Sequence, residues 1–163
     1  MRRLPIATRL LSGFLLWTAL RSVYAILLGQ ADSDYRLATE AGYGSAVWVG
    51  EGLYAFLAAG GVAGIWVGWR KTVALIVAAL AVSTSLLLFQ LQQMEADPVK
   101  ARESYAASRR ARGFPATDQR LESMFSPSGR RLVWAVGAVF AIGPLALLLW
   151  RRDDFVSNDG TER

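Results

Sequence analysis

Residues Ala46 to Trp69 read AVWVGEGLYAFLAAGGVAGIWVGW and are followed at once by Arg70-Lys71. The run is almost wholly apolar and longer than the ~20 residues that a helix needs to cross the hydrocarbon core of a bilayer. Three further windows share this character: residues 10–29, 72–91 and 132–150. A soluble domain alternates apolar and polar positions along most of its elements, and these windows do not. In lipid every backbone N–H and C=O must pair within its own segment, so each window is expected to be a helix.

The fold class that follows is all-α. The chain is read as an integral membrane protein whose four transmembrane helices form an antiparallel bundle. A length of 163 residues leaves no room for a second sizeable domain, so residues 1–163 are taken as one unit. The only long polar segment, residues 92–131, becomes an extramembrane loop between the third and fourth spans. The first window also has marks of a signal peptide: a basic start, an apolar core, and Val23-Tyr24-Ala25 as a weak cleavage site. Arg21 between core and site, and an apolar length that can span, favour a retained helix.

Net charge is +5 and the pI about 10.1, which in a soluble protein would raise nucleic acid as a partner. Here most Arg and Lys residues flank the apolar windows, where they anchor helix ends, and no continuous basic face exists. No nucleic acid is therefore expected. The partner is the lipid bilayer, with a second membrane protein or a further copy of the chain beside it. There is no Cys and no His. That removes disulfides, thiolate or His-ligated metals, His-ligated haem and His-dependent nucleophilic catalysis. No Walker loop, dinucleotide fingerprint or metalloprotease helix is present. No catalytic residue, metal ligand or cofactor is expected, and the chain is read as a non-enzyme.

Between the first two spans, Asp32-Ser33-Asp34 offers two carboxylates, too few for a cation site, and reads as a turn or helix cap within a polar loop. Arg70-Lys71 joins the second and third spans so tightly that they must form a helical hairpin. Gly60, Gly64 and Gly68 form a GxxxGxxxG stripe, the signature of close helix packing. Gly68 also suits a helix terminator. Ser83, Thr84 and Ser85 near the middle of the third span are read as packing hydroxyls rather than a solute path.

In the long loop, Asp97-Pro98 predicts a capped helix start, Val99 to Arg112 its body and Gly113 its stop. Thr117 or Asp118 caps a second short helix through Phe125, and Ser126-Pro127 opens the last one. Arg109, Arg110 and Arg112 are candidates for contact with lipid phosphates or an acidic partner. Pro144 predicts a kink in the fourth span, because its ring clashes with the carbonyl of Phe140.

Two charges stand inside spans. Glu51 lies about 8 Å and Arg21 about 12 Å from the polar loop that joins their helices, at 1.5 Å per residue. Opposite charges at similar depth in consecutive helices are natural partners, so an intramembrane Arg21–Glu51 pair is expected. Counting basic residues on each side of the membrane does not decide orientation. The first span does: Arg2, Arg3 and Arg9 precede it and Arg36 alone follows. Both termini are placed in the cytoplasm and the protein in the cell membrane. Two functions remain. The first is a non-enzymatic packing, scaffold or regulatory subunit of a larger membrane assembly. The alternative is a small oligomeric transporter or channel that uses Glu51. The surroundings of Glu51 separate them: a closed pair with Arg21 favours the scaffold, a hydrated cavity favours transport.

Overall fold

In the computed structural model, residues 5–69 and 71–150 are described. They form α1 (Ile6–Leu28), a 3-10 turn (Gly29–Ala31), α2 (Ser33–Glu40), α3 (Gly44–Val67), α4 (Thr72–Ala96), α5 (Pro98–Ala111), α6 (Asp118–Phe125) and α7 (Pro127–Trp150). No strand occurs among them. Helices α1, α3, α4 and α7 are each long and apolar enough to cross a membrane. Arg2 and Arg3, on which part of the orientation argument rests, lie outside the described residues.

The four long helices correspond to the four apolar windows: α1, α3 and α7 begin earlier than their windows, α4 ends later, and α1 and α3 stop one and two residues short. The window ending at Leu91 continues to Ala96, because nothing breaks the helix before Asp97-Pro98. The last helix starts at Pro127, a residue suited to a first helical position. The polar loop between the first two spans contains α2; of the turn or helix cap expected at Asp32-Ser33-Asp34, the cap is what forms, and the helix behind it was not expected. Asp32 nucleates it: one carboxylate oxygen accepts from the N–H of Asp34 at 3.0 Å and of Tyr35 at 3.3 Å. Asp97 caps α5 in the same way, through the N–H of Lys100 at 3.0 Å.

Helix α3 packs along α1 on one side and α4 on the other, and α7 touches α4 and α1 over a shorter length. The core uses residues one helical turn apart: Leu11, Leu15 and Ala19 of α1, Tyr54 and Ala58 of α3, Ile76, Ala79 and Leu80 of α4. Most remaining apolar side chains point outward. Phe56 is 75% exposed and Val67 83%, an outer surface suited to lipid and costly in water.

The α3–α4 contact is built on glycine, in a register different from the expected one. A Cβ at Gly61 would lie 3.0 Å from Ile76, and one at Gly50 2.7 Å from Leu86. At Gly64 it would run into the Thr72 hydroxyl. Gly60 lies at the edge, at an ordinary 3.4 Å from Leu75. Gly68 packs against nothing. It ends α3 with φ of 74°, a left-handed conformation that suits glycine, and its N–H donates to the Gly64 carbonyl. Pro144 sits buried inside a continuous α7.

Helices α2, α5 and α6 gather at one end of the long helices. Ser108 donates to the Ala31 carbonyl at 2.6 Å. Ser104 donates to Glu40 and Lys100 to the Glu40 carbonyl, each at 3.2 Å. Tyr105 meets Phe125 edge to face at 5.9 Å, tying α5 to α6.

Candidate functional site at Glu51

Glu51 lies two turns into α3, and Arg21 two turns before the end of α1. Their expected direct contact does not form. The Arg21 guanidinium turns toward the polar end and meets Asp34 of α2 at 3.9 Å. With α2 present, Asp34 offers a carboxylate nearer to water, so Arg21 keeps part of its hydration: its side chain is 60% exposed. Glu51 is left with no ion pair and no hydrogen bond among the described residues.

One turn further along α3, Tyr54 is buried at 3% exposure, and its hydroxyl is hydrogen-bonded to Thr18. Thr18 in turn donates to the Phe14 carbonyl at 2.8 Å. These groups border a half-open cavity of about 440 Å³ between α1, α3, α4 and α7. Its polar lining is Thr18, Arg21, Ser22, Glu51, Ser83 and Gln90. Its apolar wall includes Phe14, Trp17 and Phe140, with ring centroids 5.8 Å apart for Phe14–Phe140 and 6.2 Å for Trp17–Phe140. Ser83, expected to be a packing residue, therefore faces this space.

Two more cavities adjoin it. Toward α2 and α5 lies one of about 350 Å³, which shares Arg21 and Gln90 and adds Asp32, Asp34, Tyr105 and Arg112. Between α1 and α7 lies one of about 340 Å³, which shares Phe14 and Phe140 and is otherwise lined by apolar residues such as Leu10, Val139 and Leu147. Polarity thus falls in steps from the α2–α5 end toward the far end of α7. The space exists because α7 meets α1 over so short a length.

Burial pushes the Asp34 carboxyl up to about 6 from its ordinary 3.8, with Asp32 and Glu51 adding to the rise and Arg21 opposing it. Asp32 spends one oxygen on the α2 cap, so the Asp-Ser-Asp motif serves the backbone.

The three arginines of α5 and its end differ in their surroundings. Arg109 donates to the Pro115 carbonyl at 2.9 Å and lies over the Tyr105 and Phe114 rings. Arg112 donates to the Ser108 hydroxyl at 3.0 Å and faces the second cavity. Arg110 is exposed. Arg109 and Arg112 are thus engaged within the protein, which leaves Arg110 as the outward cation of the three. Sequence reasoning missed Thr18, Ser22, Tyr54 and Gln90, and weighed Asp34 only as a loop carboxylate, not as the partner of Arg21. Thr18, Arg21 and Ser22 stand at i, i+3 and i+4, a polar stripe that could have announced a polar face on α1.

No family model, no curated protein and no solved structure matches this chain.

Proposed function

We propose that the chain is a non-enzymatic, multi-pass protein of the cell membrane that holds a small solute in the cavity beside Glu51, as part of its transport across the bilayer or its release into it. In this reading α1, α3, α4 and α7 form an antiparallel transmembrane bundle. Helices α2, α5 and α6 make a cap in the water at the outer face, and both termini are cytoplasmic. One observation carries the functional part: an unpaired carboxylate within a span borders a cavity of about 440 Å³. An ionisable group at that depth is costly unless it has a task or a partner. Pockets for small ligands fall at about 300–1,000 Å³, and this one combines apolar walls with a few convergent polar groups. A scaffold subunit has no use for an open space around a charge in its own core.

The test uses the absence of native Cys. Ser83→Cys places a thiol on the cavity wall, and Leu53→Cys places one on the exposed outer face of α3. A charged, membrane-impermeant thiol reagent is expected to label Ser83→Cys from the cap side and to leave Leu53→Cys unmodified. Failure to label Ser83→Cys would remove the solute reading. Recovery of a stoichiometric membrane-protein partner in mild detergent would then support a scaffold or regulatory subunit.

A further inference from the structure

The chemistry of the solute can be narrowed, on the premise that the Glu51 cavity is a solute site. Two charges line it. Arg21 faces Asp34 at 3.9 Å, so its charge is met outside the cavity. Among the described residues Glu51 has no ion pair and no hydrogen bond. The uncompensated charge inside is therefore negative. An anionic guest would leave that charge standing and add its own, at a depth where isolated charges are costly. A cation would neutralise it.

The rest of the lining argues against a bare metal ion. Hard cations need several oxygen ligands, and no group of three His, Cys, Asp or Glu residues converges among the described residues. The cavity around Glu51 pairs a few neutral polar groups, Thr18, Ser22, Ser83 and Gln90, with an aromatic and aliphatic wall. Phe14, Trp17 and Phe140 form one contiguous cluster on the wall. Aromatic faces attract cations whose hydration is weak, organic ammonium groups above all. Beyond Phe14 and Phe140 the apolar cavity of about 340 Å³ offers room for hydrocarbon substituents and no charge.

We propose that the Glu51 cavity binds a lipophilic organic cation, with its positive centre against the Glu51 carboxylate and its apolar body against Phe14, Trp17 and Phe140. Arg21 stands at the polar rim with its guanidinium turned to Asp34, which leaves Glu51 as the anchor.

The experiment compares two ions of the same shape and opposite charge, tetraphenylphosphonium and tetraphenylborate, on the full chain in mild detergent by titration calorimetry. Saturable binding of the phosphonium is expected, at least about tenfold tighter than that of the borate. Glu51→Gln should weaken phosphonium binding by about tenfold or more, and Phe140→Leu by about two- to fivefold. Arg21→Gln should leave it equal or tighter. Absence of saturable phosphonium binding overturns the proposal. So does borate binding of equal strength, or a folded Glu51→Gln variant that binds like the unaltered protein. If Glu51→Gln does not fold, the two ions on the unaltered protein decide the matter alone. Labelling of Ser83→Cys without phosphonium binding refutes the cation and spares the cavity; loss of both refutes the solute reading itself.

Discussion

Asp34 shows how one side chain outside the spans sets the state of a group within them. It faces Asp32 on its own turn, Arg21 of α1 and Glu51 of α3, and shares a cavity with Arg112 just beyond α5. Its carboxyl titrates near 6 in the fold and near its ordinary 3.8 when unfolded, so the folded state holds the proton more tightly. The sign follows by linkage. The stability from the protonated form is fully present below about pH 4 and is lost as pH rises through about 6. Asp34→Asn keeps a neutral side chain at every pH. Its melting temperature relative to the unaltered protein should therefore increase from about pH 4 to about pH 7, and a constant difference would refute the raised carboxyl. The same residue explains why Arg21 and Glu51 do not meet. Depth alone matched the two charges correctly, since both lie two turns from the polar end. What depth could not reveal was a nearer carboxylate, delivered by a short helix of which the sequence announces only the cap.

At the scale of elements, that helix is the part hardest to see in advance. An isolated helix below about 12 residues is marginal in water, so α2 has little intrinsic signal. It is held by partners far along the chain, Ser104 and Lys100 on Glu40 and Ser108 on the Ala31 carbonyl just before it. The long apolar helices were legible because lipid leaves an apolar backbone no other solution. Glycine spacing was legible only in part. Four glycines at 60, 61, 64 and 68 fit two overlapping registers, and the choice rests on which face α4 covers. Ile76 and Thr72 cover Gly61 and Gly64. A Leu at Gly64 would have to displace Thr72, whose hydroxyl also donates to the Trp69 carbonyl at 2.5 Å and holds the hairpin turn. Overpacking of this kind costs about 1–3 kcal/mol or more. Gly64→Leu should lower the melting temperature in detergent by several degrees, whereas Gly60→Ala, with ordinary contact at 3.4 Å, should change it little. Equal tolerance of both would place α4 on another face. Dissociation of an oligomer without loss of stability would make the stripe a subunit interface.

For the whole molecule, in the proposed four-span arrangement, the side of the membrane that carries the cap decides from where the cavity fills. The three polar helices gather at the end where α1 finishes and α3 begins, and the α3–α4 turn lies at the other end of these helices. The charge rule counts basic residues near the ends of spans, and the first span has Arg2, Arg3 and Arg9 before it against Arg36 after. The proposed orientation follows this asymmetry, with the α3–α4 turn inside and the cap outside. Part of the apparent positive charge of the cap is also internally satisfied. Arg36 pairs with Glu40 at 3.1 Å, Arg102 with Asp118 at 3.7 Å and Arg130 with Glu95 at 2.8 Å. The basic residues of residues 92–131 that nearly balance the count therefore stand in a mixed-charge assembly, although the rule itself weighs Arg and Lys more than net charge. Single cysteines at two exposed positions read the outcome directly: Thr117 in the cap and Lys71 at the α3–α4 turn. In intact cells an impermeant thiol reagent should label Thr117→Cys and spare Lys71→Cys until the membrane is opened. Labelling of Lys71→Cys alone inverts the orientation, and the Glu51 cavity would then open through its polar end toward the cytoplasm. Labelling of both before the membrane is opened would put the cap and the turn on one side, which no arrangement with α3 crossing once can produce, and the four-span reading would fall.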